Sequence, residues 1–244
     1  MMAPARSSDP AGGRAATYSG PVEDYLKVIY ELERCGDGGT AATSDIAHRL
    51  DIAPASVTGM VRRLAEQELL KYEPYRGVRL TKAGQHVALR TIRHHRIIES
   101  FLSHVLGYRW DEVHWEADRL EHAASDALID RMAAALNEPT ADPHGAPIPT
   151  REGALNEPRC VPIADLRPGA RARIVRVSDP DPARLRYLAE LGLVPGAIVV
   201  VAVRAPFDGP ITVRVGSGPP AVDCVIGAAL SHGVFVDPIE AKGK

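Results

Sequence analysis

The chain has 244 residues, with 29 Lys+Arg against 31 Asp+Glu, nine His, three Cys and a formal net charge of -2. That length is enough for about two domains, and 45% hydrophobic with 25% charged residues is a globular composition, not a disordered one. The sequence lacks an apolar run long enough for a transmembrane helix, and Cys35, Cys160 and Cys224 show no paired spacing, so reduced thiols in the cytoplasm are expected.

Residues 1–20 are rich in Ala, Gly, Ser and Pro, lack the apolar core of a signal peptide, and read as a disordered leader. From Val22 to Leu32 apolar residues recur at helical spacing. The glycines of CGDGGTAAT then make a loop, and helices follow at Thr43–Leu50 and about Pro54–Gln67, with Pro54 suited to a first turn. LLKYEPY and GVRLT read as two strands joined by a tight turn near Arg76-Gly77. Long helices are predicted over Ala83–Leu106 and from about Glu112 to Leu136. Residues 137–160, with five prolines, read as a linker. Beyond it ARIVRV, AIVVVAV, ITVRV and GVFVDPI read as short strands of a small β-barrel, with ARLRYLAELGL helical between the first two.

Two short helices, a third helix and a two-stranded ribbon make a winged helix-turn-helix, whose third helix can enter the major groove of duplex DNA. Between Ser44 and Arg96 there are ten Lys/Arg against five Asp/Glu, a local excess of five positive charges for phosphate contacts. Ala55, Ser56, Thr58, Gly59 and Arg62 form the small or polar side of the third helix. Arg62 and Arg63 can meet guanine or phosphate, and Arg76 at the wing tip is a backbone-contact candidate. A winged helix used only for protein contacts is the alternative.

Downstream the charge reverses: residues 97–136 hold eight Asp/Glu against three Arg, and five of the nine His lie between 94 and 122. In HWEADRLEH, helical spacing places His114, Asp118, Glu121 and His122 on one face. His95 and Glu99 are also neighbours one turn apart. Oxygen and imidazole donors without thiolate favour Mn(II) or Fe(II), while Zn(II) or Co(II) would bind tightly in vitro. No HExxH occurs, which removes a zinc-protease reading.

PVEDYLKVIYELE, the winged helix, RHHRIIESFL and EVHWEADRLEHAASDALIDRM together resemble the diphtheria-toxin-repressor family of metal-dependent regulators, over about Pro21–Leu136. DPHGAPIP and the terminal β-segment resemble the members that carry a C-terminal SH3-like (FeoA-like) domain. The resemblance implies an α+β multidomain protein: a winged helix over 21–92, an all-α dimerisation and metal-binding domain over 93–136, the Pro-rich linker 137–160, and a small SH3-like β-barrel over 161–240. It implies a primary metal site of Asp24, Asp118, Glu121 and His122. Asp24 and Asp118 stand where the iron-responsive branch has Met and Cys, so the chain is similar to the manganese-responsive branch, and carboxylates in place of sulfur harden the site toward Mn(II). Lys27 stands where two-ion manganese regulators carry a further acidic residue, which argues against a binuclear site of that kind. The resemblance also implies an ancillary site of His95, Glu99 and His114 completed by Asp181, or failing that Asp179. Arg184, where iron-responsive members supply an amide, cannot ligate. Tyr108 and Trp110 are expected at a dimer interface, and His94, His104 and His232 in structural roles.

These readings lead to a cytoplasmic homodimeric repressor, not an enzyme and not bound to a membrane. It is activated by Mn(II), with Fe(II) as the alternative ion, binds an inverted-repeat operator in double-stranded DNA, and controls metal-uptake genes. A winged-helix regulator sensing a small organic ligand is a second reading. A metalloenzyme built on His122 and Glu121 is a third, and it lacks a plausible nucleophile or general base.

Overall fold

The computed structural model of the chain describes residues 18–35, 39–73, 76–178, 181–207, 209–216 and 222–239. Most of the predicted leader lies outside these residues, as does Asp179, although Gly20 already belongs to the first helix.

Helix α1 spans Gly20–Cys35. Its Val22, Tyr25, Leu26 and Ile29 fall three and four residues apart and are all buried, which is why this stretch folds as a helix against a core. Helices α2 (Thr43–Leu50) and α3 (Pro54–Glu66) follow, turned on Asp51. Asp51 adopts a left-handed φ of 52°, and Pro54 opens α3 where its missing donor is harmless. Strands β1 (Leu70–Glu73) and β2 (Gly77–Leu80) pair antiparallel, with Glu73 opposite Gly77, and form the wing.

Helix α4 (Lys82–His104) ties two cores together. Its first half gives Val87, Ala88, Leu89 and Ile92 to the winged-helix core. Its second half gives Ile97, Ile98 and Leu102 to a separate core, shared with α5 (Val113–Leu120) and α6 (Asp126–Ala135). The single helix expected from Glu112 to Leu136 is therefore two. The Ser125 side chain accepts a hydrogen bond from the Leu128 N–H and starts a new helix. The Glu121 carbonyl turns to the His94 ring, 3.1 Å from Nδ1. Glu121 and His122 thus lie just past the end of α5, not along its face.

The Pro-rich segment is a packed structure and not an extended spacer. Ala141 bridges Pro147, and Ile148 is buried in the helical core. The Arg96 guanidinium donates to the Pro147 carbonyl. Beyond it, β3 (Val161–Pro162), β4 (Arg171–Val177), β5 (Ile198–Arg204), β6 (Ile211–Val215), β7 (Val222–Ile226) and β8 (Val234–Pro238) form one antiparallel sheet in the order β3-β8-β4-β5-β6-β7. Helices α7 (Pro182–Glu190) and α8 (Ala228–Ser231) complete this unit. β3, β7 and α8 were not among the elements read from periodicity: β3 and α8 have only two and four residues, and β7 carries the polar Asp223 and Cys224 at its centre. No described helix is long and apolar enough to cross a membrane.

Candidate metal centre and nucleic-acid face

The polar seam between α1, α4 and the end of α5 is buried in its middle. Glu121 and Glu99 are each 2% exposed, and His95 is 6% exposed. Burying a carboxylate without a partner costs several kcal/mol, so groups in this state must be paired or hold a cation. Three groups of donors have ligand atoms within 4.8 Å of one another: Asp24, Glu121 and His122; His95, His114 and Asp118; and Glu99, Asp142 and His144.

The first group joins α1 to the end of α5. The His122 ring lies between two carboxylates of α1, with Nε2 2.9 Å from Asp24 Oδ1 and Nδ1 2.7 Å from Glu23 Oε2. Two carboxylate acceptors require both ring nitrogens to carry protons. The bonds to Asp24 and Glu23 push the imidazole pKa up to about 10, against a smaller opposing effect of burial. Glu23 is itself held by Arg90, 3.3 Å away.

Lys27, one turn along α1 from Asp24, enters the same seam. Its Nζ lies 3.0 Å from both Glu121 oxygens, 3.2 Å from Asp118 Oδ1 and 3.2 Å from His95 Nδ1. Burial works against this ammonium, but the charges of Glu121 and Asp118 outweigh it and raise its pKa. Asp118 is pushed up by burial, yet the His95 hydrogen bond and the Lys27 charge hold it well below the usual carboxylate range.

His95 connects the groups. Its Nδ1 is 2.5 Å from Glu121 Oε2, and its Nε2 is 3.0 Å from Glu99 Oε1 and 3.1 Å from His114 Nδ1. Burial would neutralise this imidazole, but the Glu99 charge leads the groups that raise its pKa well above the ordinary value. Burial likewise raises Glu99, and the His95 charge overcomes it and draws the carboxyl well down.

The third group contains two residues that sequence reading passed over as linker. Asp142 Oδ1 accepts the N–H groups of His144 (2.8 Å) and Ala146 (2.9 Å). The His144 Nδ1 lies 3.7 Å from Glu99, and its Nε2 donates to the Trp110 carbonyl at 2.8 Å. Burial, reinforced by the nearby Glu99 charge, pushes the Asp142 carboxyl up to about 6. The signal available was the His of DPHG, two residues after an Asp.

The structure therefore regroups the expected donors. Asp24, Glu121 and His122 come together, whereas Asp118 faces His95 and His114. Glu99 lies with His95 and His114, 3.0 and 3.3 Å from their ring nitrogens, and also meets Asp142 and His144. Asp181 joins none of these groups: it is the N-cap of α7, its carboxylate accepts the Ala183 N–H at 2.8 Å, and it pairs with Arg184 at 3.6 Å. A cap followed by Pro182 at the first helical position commits that side chain to its own helix. Trp110 is partly buried within the chain. It packs on the core of the C-terminal unit and stacks on His144, with centroids 5.5 Å apart. Tyr108 is exposed. His94 pins the α5–α6 junction between the Glu121 carbonyl and Asp126, and His104 and His232 bond carbonyls of their own helices.

On the winged helix, Ala55, Ser56, Gly59, Arg62 and Arg63 are all exposed on α3, with Thr58 half-buried between them. The Thr58 hydroxyl donates to the Pro54 carbonyl, and the space beyond the Gly59 Cα is open. Arg76 is exposed at the wing and 3.4 Å from Glu73. Val57, Val61 and Leu64 face the core, so the helix presents its small and basic side outward.

Residues 19–78 match the family described as "Iron dependent repressor, N-terminal DNA binding domain". Residues 81–150 match "Iron dependent repressor, metal binding and dimerisation domain" and residues 161–238 the "FeoA domain". The chain is 34% identical over 191 residues to the iron-dependent repressor IdeR of Mycobacterium tuberculosis, covering 73% of this chain and 82% of that one. It is 36% identical over 116 residues to the transcriptional regulator MntR of Oceanobacillus iheyensis, covering 48% of this chain and 77% of that one. Among solved structures, a manganese-dependent transcriptional repressor in complex with manganese superposes with a TM-score of 0.84 at 36% identity, covering 89% of this chain and all of the other. ScaR with bound Cd2+ gives 0.76 at 30% identity, covering 89% and 99%.

Proposed function

The chain belongs to the diphtheria-toxin-repressor family of metal-dependent, DNA-binding repressors, and we propose that it is a homodimeric repressor activated by Mn(II) at Asp24, Glu121 and His122. The observation that carries this reading is the meeting of Asp24, on the helix that packs against the winged-helix core, with donors at the end of α5. The donors are carboxylates and imidazoles without sulfur, which suits Mn(II), with Fe(II) the nearest competitor. A bound divalent ion supplies the charge that neutralises the converging carboxylates.

The rest of the switch lies in the chain. Asp24 fastens α1 to the α5 end, and Glu121, buried and backed by His94 through its carbonyl, gives a fixed point for it. His122 must give up its ring proton at Nε2 before that nitrogen can donate electrons. α4, shared by both cores, carries the resulting order from the donor seam to the winged helix. Exposed Ala55, Ser56, Thr58, Gly59, Arg62 and Arg63 then meet base edges and phosphates, and Arg76 the backbone, at an inverted-repeat operator. Control of metal-uptake genes follows from the same reading. Glu99, Asp142 and His144, with His95 and His114 beside them, form the proposed ancillary site in place of one completed by Asp181.

An ion drives such a switch only through its preference for the DNA-competent state. Operator binding titrated with Mn(II), with Fe(II) under anaerobic conditions, and with chelator is the test. The expected gain with Mn(II) is about 5–150-fold. Equal affinity with and without every ion would overturn the reading.

A further inference from the structure

We propose that Glu33 is a positioning residue for the wing: from the last turn of α1 its carboxylate holds β2 at Leu80, so the helix that carries Asp24 also sets where Arg76 meets the DNA backbone. The inference deepens the reading of the chain as an ion-activated repressor, and rests on it for what orders α1.

The two edges of β2 are closed differently. Toward β1, the Thr81 N–H donates to the Leu69 carbonyl at 3.0 Å, next to the paired strands. Away from β1, Val78 exchanges both backbone bonds with Ala41 at 2.9 Å, which closes that edge for one residue. Alternation along an antiparallel strand turns the Leu80 N–H to the same outer edge. There it donates to Glu33 Oε1 at 2.5 Å, a carboxylate standing where a further strand would offer a carbonyl. Leu80 is buried, and a backbone N–H left without an acceptor in such a place costs stability.

The carboxylate stays there against a cost. Burial pushes the Glu33 pKa up, while the Leu80 bond and the Arg79 charge work against that rise. Arg79, the neighbouring residue of β2, donates from Nε to the Gly39 carbonyl at 3.0 Å. Glu31, two residues earlier on α1, pairs instead with Arg49 of α2 where water reaches both side chains, and such a pair contributes little. A bond from a backbone N–H to a half-buried carboxylate is the stronger link.

Position makes this link a lever. Glu33 and Asp24 lie on one unbroken helix, roughly 14 Å apart along its axis. Leu26 and Ile29, fully buried between them, hold that helix to the winged-helix core. Arg76 immediately precedes β2, so a shift of the strand at Leu80 shifts the wing tip. α4 reaches the core of the winged helix, whereas Glu33 reaches the wing itself.

The test uses the full-length dimer in Mn(II) and a labelled duplex carrying the sequence that the parent selects from a random library. Log affinity is plotted against log salt for the parent, Glu33→Ala, Glu33→Asp, Glu33→Gln, Arg76→Ala and the double variant Glu33→Ala/Arg76→Ala. Each is checked for folding by circular dichroism and for its Mn(II) count by equilibrium dialysis. Arg76→Ala is expected to flatten the slope by about one per protomer, the loss of one phosphate contact. Glu33→Ala should flatten it equally with an unchanged ion count, and the double variant should flatten it no further. Glu33→Asp keeps the charge but is one methylene short, and should behave as Glu33→Ala. Glu33→Gln keeps an acceptor oxygen and should restore the parent slope. A merely structural role would lower the melting temperature and leave the slope alone. A parent slope in Arg76→Ala or in the folded Glu33→Ala or Glu33→Asp variants overturns the inference, as does a double variant that loses two separate contributions. A Glu33→Gln slope as flat as that of Glu33→Ala overturns the hydrogen bond as the link. A parent whose duplex affinity ignores every ion sinks the ion reading instead, and the slopes at fixed ion content still judge Glu33.

Discussion

At the Asp24 end of the donor seam, ligand atoms come from two separate helices and meet only through ion pairs. At the Asp142–His144 end two of the three come from one short, pinned loop and the third, Glu99, from α4. His122 reaches Asp24 and Glu23 across an interface that nothing covalent or backbone-bonded closes. Asp142 instead bonds the N–H groups of its own loop, and His144 is fixed by the Trp110 carbonyl and by stacking on that indole. The His144 carbonyl accepts the Val177 N–H from β4. The difference assigns different work to the two ends. A site whose halves can separate reports an ion through order, whereas a prebuilt one can only strengthen what is already assembled.

The sharpest way to break that comparison is Asp24→Ala. It is expected to lower Mn(II)-dependent operator affinity by up to about 100-fold, to near the chelated level, in a fluorescence-anisotropy titration. Gly145→Ala attacks the pinned end. Gly145 has φ +84°, and an added Cβ would lie 1.9 Å from the Val175 carbonyl oxygen. A melting temperature lower by about 5 °C or more is expected, from roughly 2 kcal/mol of strain and displacement. Acidity tests the open end. Because the His122 pKa is raised, its protonated pairing with Asp24 and Glu23 stabilises the metal-free fold fully below the ordinary imidazole pKa of 6.5, and is lost as pH rises through about 10. Ion uptake must displace that proton, so apparent Mn(II) affinity should rise with pH, by at most about tenfold per unit, in calorimetric titrations below pH 10. His144→Ala is expected to have the smallest effect, about fivefold on operator affinity, with one ion fewer per protomer by elemental analysis. An effect as large as that of Asp24→Ala would erase the distinction between the two ends.

The winged helix was legible because its helices bury one face each. Val57, Val61 and Leu64 repeat at helical spacing, and the turn chemistry of Asp51 and Pro54 is local. The donors Asp118, Glu121 and His122 were visible in the sequence, but not which of them face one another. Helical spacing extended through Glu121 and His122 puts all three on one face, while the chain leaves the helix after Leu120, where the Ser125 cap begins another. Asp118 and Glu121 both reach His95, and the bend after α5 brings His122 to Asp24. Asp142 and His144 were hidden in a proline-rich segment, because composition speaks of backbone stiffness and not of which side chains that backbone aims inward. Asp181 was offered by the family resemblance, and in the structure its carboxylate caps its own helix.

The β4–β8 register slips between Ile174 and Arg176, and this irregularity has a reach beyond the sheet. It sets the Val175 carbonyl directly under Gly145, in the loop that carries Asp142 and His144. Arg186 of α7 grips the buried Asp111 at 3.2 Å, next to Trp110. Among the described residues of the C-terminal unit, none belongs to a donor group. The unit instead acts as a splint. Under the proposed ancillary site, the freedom of the loop that carries Asp142 and His144 is given up during folding, so an arriving ion need not remove it. Detached from that splint, the same side chains would bind the same ion at a larger entropic cost, a difference that shows in the temperature dependence of affinity and not in any coordination distance.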